Sequence, residues 1–271
     1  MTLTISSLHN PRIKQAVQLR RRRGRDKQDR VIIDGVREIR RAVAAGVALV
    51  EVFACPEQCD ADGQALLEQC RRHAIEVLTV TRSVFEKIAF GERLDGVVAV
   101  ATIQPKTLAE VAPDAAALVV VLEAVEKPGN IGAVLRTAAA AGATAVVVAD
   151  AGTDLYNPNA IRASLGAIFT VPVCQAAGDE TLRWLRQQGL RIFAARVDGA
   201  VSYAAVSYRE PCALVLGSEA EGLSDVWQGA DVAAIRLPMR GAVDSLNVST
   251  TAAVLLYEAQ RQRELAGAAD K

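Results

Sequence analysis

Leu237-Pro-Met-Arg-Gly-Ala-Val-Asp-Ser-Leu-Asn-Val-Ser249 closes the last apolar strand of the sequence and opens its last helix. The strand pattern Val232 to Leu237 stops at Pro238, and a loop containing Gly241 follows. Helical spacing then runs from Leu246 to Leu265. Ser245 is the candidate N-cap, and Asn247 and Ser249 add polar groups to the first turn. A helix N-terminus presents exposed N–H groups and the positive end of its dipole, so it suits a carboxylate or phosphate. The same residues also suffice to cap an ordinary helix, and this segment alone does not separate the two readings.

Two further loops, each after an apolar run, carry similar polar sets. In Glu123-Ala-Val-Glu-Lys-Pro-Gly-Asn-Ile-Gly-Ala-Val-Leu-Arg136, Pro128 and Gly129 read as a turn and Asn130 as the cap of the next helix. Arg136 lies six residues past that cap. Gly132 and Ala133, one turn earlier, are too small to block it, and apolar neighbours surround it. An arginine in such company needs an anion, either a ligand or a buried salt-bridge partner. In Leu214-Val-Leu-Gly-Ser-Glu-Ala-Glu-Gly-Leu223, two acids are bracketed by Gly217 and Gly222. Glycine lets backbone approach a ligand closely, but the same pattern fits a plain surface turn.

Around these loops strands and helices alternate. Strands are expected at Leu118 to Leu122, Ala145 to Ala149, Arg191 to Ala195 and Ala213 to Leu216. Helices are expected at Ile131 to Ala141 and Thr181 to Gln188, closed by Gly142 and Gly189. Continuous apolar strands alternating with helices predict an α/β fold with a mostly parallel sheet covered on both faces. A smaller α/β unit precedes it, with strands at Arg30 to Asp34, Val50 to Ala54, Val77 to Val80 and Val97 to Ala101, and helices at Val36 to Ala45 and Gln64 to His73. The expected organisation is residues 1–102, a linker over 103–116 holding Pro105 and Pro113, and a second domain over 117–271.

Net charge is zero, but residues 1–41 hold 12 bases against 4 acids, including Arg20, Arg21, Arg22, Arg23 and Arg25. That end reads as an anion-binding face for nucleic acid, the plainer reading being a solvated arginine-rich helix. The five cysteines are odd in number and fit no zinc spacing, so they are expected as reduced thiols. No apolar run suits a signal sequence or a membrane span, and a cytoplasmic protein is expected. No G-x-G-x-x-G follows a strand and no P-loop is present, which argues against dinucleotide and nucleotide chemistry. The two histidines, His9 and His73, give no triad and no metal site.

Taken in order, Pro128–Arg136, Leu216–Leu223 and Leu237–Ser249 resemble the three motifs of the SpoU/TrmH branch of the SPOUT RNA methyltransferases. Residues 5–100 more weakly resemble the family's N-terminal substrate-binding module. The resemblance implies a C-terminal SPOUT domain with a parallel sheet and a deep trefoil knot, S-adenosyl-L-methionine as cofactor, and a homodimer with its active site at the subunit interface. It implies cofactor contacts from Leu216, Gly217, Leu237, Met239 and Leu246, no metal, and transfer of a methyl group to a ribose 2′-hydroxyl. Arg136 matches the position the family assigns to proton removal. A free guanidinium has a pKa of about 12.5–13.8, so the expectation is that Arg136 binds a phosphate and polarises the hydroxyl, with proton removal as the further possibility. Asn130, Glu219, Ser245 and Asn247 match positions that orient Arg136, the ribose and the cofactor. The basic first module points to ribosomal RNA, 23S in particular, ahead of transfer RNA. A SPOUT-like protein that grips RNA without methylating it is the remaining alternative.

Overall fold

The computed structural model describes residues 4–90 and 95–269. They form two compact units, one running to Gln104 and including Tyr156–Thr170, the other made of Pro105–Leu155 and the chain from Val171 onward.

The first unit contains α1 (Pro11–Gln18), α2 (Arg22–Gln28), β1 (Val31–Asp34), α3 (Val36–Ala44), β2 (Ala48–Ala54), α4 (Ala61–Arg72), β3 (Glu76–Thr79), α5 (Arg82–Ile88) and β4 (Val97–Thr102). Its sheet has the order β1-β4-β2-β3, with β4 antiparallel to both neighbours and β2 parallel to β3. Asn10 and Asp60 cap α1 and α4 by accepting from the N–H groups of Arg12 and Gly63 at 2.9 and 2.8 Å. The expected strands and the helices α3 and α4 are present. Helices α1, α2 and α5 are additional. Helix α2 has no apolar period to reveal it, because Arg25 is its only buried residue.

The second unit begins with β5 (Leu118–Glu123), α6 (Pro128–Ala140) and β6 (Ala145–Ala149). The chain then contributes α7 (Pro158–Ala163) and a 3-10 turn at Ala167–Phe169 to the first unit. Tyr156–Thr170, which lie within the expected second domain 117–271, thus pack with the first unit. Pro158, Ala160, Ile161, Ala167 and Ile168 bury themselves in the first unit. Arg41 Nη1 donates to the Leu165 carbonyl at 2.7 Å, and a Cβ on Gly166 would come within 3.0 Å of Glu38 Cα.

The second unit resumes with β7 (Val173–Ala176), α8 (Gly178–Gln187), β8 (Arg191–Ala195), β9 (Val201–Ser202), β10 (Cys212–Leu216), β11 (Val232–Arg236) and α9 (Val248–Ala269). Its seven strands lie in the order β7-β6-β5-β10-β8-β11-β9, every pairing parallel. The apolar runs of β5, β6 and β10 are wholly buried, as expected for strands covered on two faces. Val119, Val121, Val147, Leu185, Val215 and Trp227 form much of the core. Non-consecutive strands are neighbours: Leu122 of β5 stands opposite Leu216 of β10, and Ala195 of β8 opposite Ile235 of β11.

Helix α9 returns to pack on α6 and β10, and Arg263 anchors it. The Arg263 guanidinium donates to the carbonyls of Tyr208, Ala116, Ala117 and Glu210 at 2.8, 2.5, 3.0 and 3.1 Å. Hydrogen bonds from a charged donor contribute more than neutral ones, and removing it leaves carbonyls unpaired. Arg263→Ala is expected to lower unfolding free energy by about 2–4 kcal/mol in urea titration. Arg263→Lys is expected to recover only part, since an ammonium lacks the planar fork.

Candidate active site

The carboxyl ends of β8, β10 and β11 open onto one cleft of about 510 Å³. Ligands in open parallel α/β sheets bind outside these strand ends, and the volume lies in the small-molecule range. The walls come from Ala195–Asp198 after β8, Leu216–Leu223 after β10, Leu237, Met239 and Asp244–Leu246 after β11, and Val248 and Thr251 of α9.

The loop after β10 is shaped by its glycines. Ser218 and Gly222 exchange backbone hydrogen bonds at 3.1 Å, closing a tight loop that presents Glu219, Ala220 and Glu221. Gly222 has φ +69°, and a Cβ on Gly217 would stand 2.2 Å from the Gly222 carbonyl, so neither position tolerates a side chain without movement. Farther along, Glu123 at the end of β5 holds the loop from inside. Its carboxylate is buried and accepts from Ser224 N, Ser224 Oγ and Trp227 Nε1 at 2.8, 2.7 and 2.8 Å.

Glu219 is the meeting point of the three polar loops. Its Oε1 accepts from Asn130 Nδ2 at 2.9 Å and from Asn247 Nδ2, and its Oε2 pairs with Lys127 Nζ. Asn247 Nδ2 also lies 3.4 Å from Asn130 Oδ1. The Lys127 ammonium above all, and then the two amides, hold the Glu219 carboxyl below the usual carboxylate range. This arrangement corrects two cap assignments. Helix α6 starts at Pro128 with Lys127 as its N-cap, so Asn130 sits inside the first turn and its side chain is free to reach Glu219. Helix α9 starts at Val248, and Asn247, not Ser245, caps it by accepting from Ser249 N at 2.9 Å and Ser249 Oγ at 2.6 Å. Ser245 is an exposed loop residue on the cleft wall.

Leu216, Gly217, Leu237, Met239 and Leu246 all line the cleft, together with Glu219 and Ser245. Asn130 and Asn247 stand behind Glu219 rather than in the lining. Arg136 joins neither group. It is exposed on α6 and makes no hydrogen bond or ion pair among the described residues, so of the two partners its sequence setting allows, a ligand anion or a buried salt bridge, the salt bridge is absent. Six residues are about one and two-thirds helical turns, which points Arg136 away from the side carrying Asn130.

In the first unit the five arginines divide. Arg25 is buried and donates to the Leu19 carbonyl at 2.7 Å. Arg20 is half-buried, closes the end of α5 through the carbonyls of Lys87, Ile88 and Ala89, and stacks 5.9 Å from the Phe90 ring centre. Both hold the unit together and are corrected from nucleic-acid contacts to structural groups. Arg21, Arg22 and Arg23 are exposed.

Sequence reading missed Lys127, Glu123, Arg196 and Asp198. Lys127 had a signal, since a lysine immediately before a helix-starting proline opposes the helix dipole and calls for an acid. Glu123 had none, because its partners Ser224 and Trp227 are about a hundred residues away.

Residues 117–257 match the SpoU rRNA Methylase family, and residues 10–99 match the MRM3-like substrate binding domain. The chain belongs to the SpoU rRNA Methylase family. A 23S rRNA (adenosine(1067)-2′-O)-methyltransferase from Streptomyces azureus is 29% identical over 258 residues, 94% of each chain. A crystal structure of an RNA 2′-O ribose methyltransferase is 40% identical, with a TM-score of 0.86 over 97% of this chain and 100% of that one. The AdoMet-bound rRNA methyltransferase from Sinorhizobium meliloti is 27% identical, with a TM-score of 0.86 over 96% and 98%. The three polar segments that converge on Glu219 all lie within the matched residues 117–257.

Glu123→Ala is expected to destabilise this SpoU unit by about 2–4 kcal/mol, because Trp227 Nε1 and Ser224 N are left unpaired. Hydrogen exchange is expected to quicken first at Gly217–Leu223 and Ser224–Gln228, and uniform protection across those segments would contradict the anchoring role.

Proposed function

We propose that this chain transfers a methyl group from S-adenosyl-L-methionine to a ribose 2′-hydroxyl of 23S ribosomal RNA. The observation that carries the reading is the convergence of all three SpoU segments on Glu219 at the wall of a ligand-sized cleft. A relative named as a 23S rRNA 2′-O-methyltransferase and a structure named as an rRNA methyltransferase, each aligned over nearly the whole chain, support the substrate class.

The residues present fit the cofactor. Leu216, Leu237, Met239 and Leu246 offer apolar walls for an adenine ring, and Gly217 leaves its backbone open to a ligand. Asp198, Glu221 and Asp244 give a negative lining for a ligand bearing a sulfonium and an ammonium. When bound, the cofactor supplies an electrophilic methyl group, so the protein's task is orientation and charge placement. Glu219, kept ionised by Lys127, fixes Asn130 and the Asn247 cap in a single arrangement. Ser245, exposed on the loop, is available to the ribose. Arg136 would bind the adjoining phosphate and polarise the 2′-hydroxyl; the oxygen–methyl bond would form as the sulfonium–methyl bond breaks to leave a thioether, with the hydroxyl proton passing to solvent water. Its separation from the cleft within one chain favours a homodimer in which one subunit's Arg136 serves the other's cleft. The exposed apolar side chains Val243, Tyr257 and Leu265 favour such pairing too. We further infer a trefoil knot: β11 inserts between β8 and β9 after β10 is laid down, and α9 then returns to β10 and α6. The first unit would present Arg21, Arg22 and Arg23 to RNA. Five free cysteines, none in a disulfide, agree with work in the cytoplasm. Among the described residues no helix is long and apolar enough to cross a membrane, and no cluster of metal-ligating side chains occurs.

Methyl transfer to a 23S fragment, followed with labelled cofactor, tests this. Arg136→Ala is expected to lower kcat by about 10²-fold or more with cofactor affinity retained. Gly217→Ala is expected to lose cofactor binding. Mixing the two variants is expected to restore roughly a quarter of wild-type activity, since about half of random dimers are mixed and each holds one intact site. Near-wild-type activity of Arg136→Ala, or no recovery on mixing, would contradict the shared site.

Neutralising Arg21, Arg22 and Arg23 together is expected to weaken RNA binding and flatten its salt dependence. The slope should fall by about 0.7–0.9 per phosphate contact removed. Arg25→Gln is instead expected to lower the melting temperature of the first unit.

A further inference from the structure

The turn after β8 carries a charge pair whose arginine has no part in the reaction as described. Arg196 and Asp198 both line the cleft. Nε and Nη2 of Arg196 donate to Oδ1 and Oδ2 of Asp198, each at 2.9 Å. The Arg196 side chain is only 22% exposed and that of Asp198 65%. The backbone beneath them is fixed. Arg196 N–H donates to the Ile235 carbonyl at 2.8 Å, Gly199 N–H donates to the Arg196 carbonyl at 3.3 Å, and a Cβ on Gly199 would stand 2.6 Å from the Ile235 carbonyl carbon. The guanidinium is thus held against one wall, with Nη1 making no hydrogen bond among the described residues.

The charge balance of the cleft makes this arginine informative. Among the described lining residues Arg196 is the one base, facing Asp198, Glu219, Glu221 and Asp244. A bare anion such as a phosphate is disfavoured next to four carboxylates. A ligand with a carboxylate and an ammonium side by side is complementary to an arginine–aspartate pair: the planar fork matches the carboxylate and the aspartate accepts from the ammonium. Among the described lining residues, Arg196 alone offers a ligand carboxylate a compensating side-chain charge. We propose that Arg196 and Asp198 form the subsite for the amino-acid head of the methyl donor, Arg196 receiving the α-carboxylate and Asp198 the α-ammonium. This rests on the reading of the cleft as the S-adenosylmethionine site.

Calorimetry on the full chain, with two ligands, separates the subsite from that reading. S-adenosylmethionine carries the amino-acid head, and 5′-deoxy-5′-methylthioadenosine is the thioether nucleoside without it. Arg196→Gln is expected to weaken S-adenosylmethionine binding about tenfold or more while leaving methylthioadenosine within about twofold. Asp198→Asn, which keeps the shape of the turn, is expected to weaken only the first ligand too, and Arg196→Lys to fall between wild type and Arg196→Gln. Equal losses for both ligands, or no loss for either, overturn the subsite while leaving the cofactor cleft in place. Unchanged cofactor affinity with reduced RNA affinity overturns it in favour of a phosphate contact. Failure of the wild type to bind either ligand overturns the cofactor reading and the subsite with it.

Discussion

The second unit depends on β10 lying parallel and in register beside β5, a strand that precedes it by nearly a hundred residues. Leu216 opposite Leu122 brings the loops that leave these strands to the same edge of the sheet. With β8 on the far side of β10 and β11 beyond it, four strand ends converge there. The polar contacts of Glu219 follow from that convergence. Lys127 and Asn130 arrive from the loop after β5, Glu219 from the loop after β10, and Asn247 from the segment after β11.

Two glutamates divide the work of fixing these loops, and their surroundings explain the division. Glu123 is buried, with three hydrogen bonds to Ser224 and Trp227, so it acts as a structural anchor whose loss leaves donors stranded in the core. Glu219 is solvent-accessible, and exposed ion pairs contribute little to stability. Its pairing with Lys127 sets geometry and charge at the cleft instead. A lysine at the start of α6 opposes the helix dipole, and Glu219 offsets that cost while remaining available at the wall. The low carboxyl pKa keeps this arrangement ionised at neutral pH. It is lost only as pH falls through that depressed value, below the ordinary carboxylate range.

The alternation of strands and helices was legible because the apolar runs of β5, β6 and β10 are continuous and their helices end at glycines such as Gly142 and Gly189. The three polar segments were legible in type and order. Their helix starts were not. Pro128-Gly129 has the composition of a turn, yet proline also suits the first position of a helix, and that alternative held, turning Asn130 from a cap into a hydrogen-bond donor. Ser245 and Asn247 are both good N-caps, and local sequence does not choose between them. Glu219 chooses, by engaging the Asn247 amide from another loop. Helix α7 was missed because its few apolar residues bury themselves in a different unit from the sheet that flanks them in sequence. Arg20 and Arg25 resembled the exposed Arg21–Arg23 run because charge alone does not reveal which guanidinium finds backbone carbonyls. The adjacency of β10 and β5 left no local mark at all.

The central claim is chemical: this cleft delivers a methyl group to a ribose oxygen and not to a base. It is tested most directly by treating 23S ribosomal RNA lacking the modification with the protein and S-adenosylmethionine, then locating the new methyl group by nuclease digestion and mass spectrometry. The account predicts one added methyl on a ribose 2′-oxygen, seen as an alkali-resistant dinucleotide. A methyl on a nucleobase, or RNA and cofactor binding with no methyl added, would contradict it.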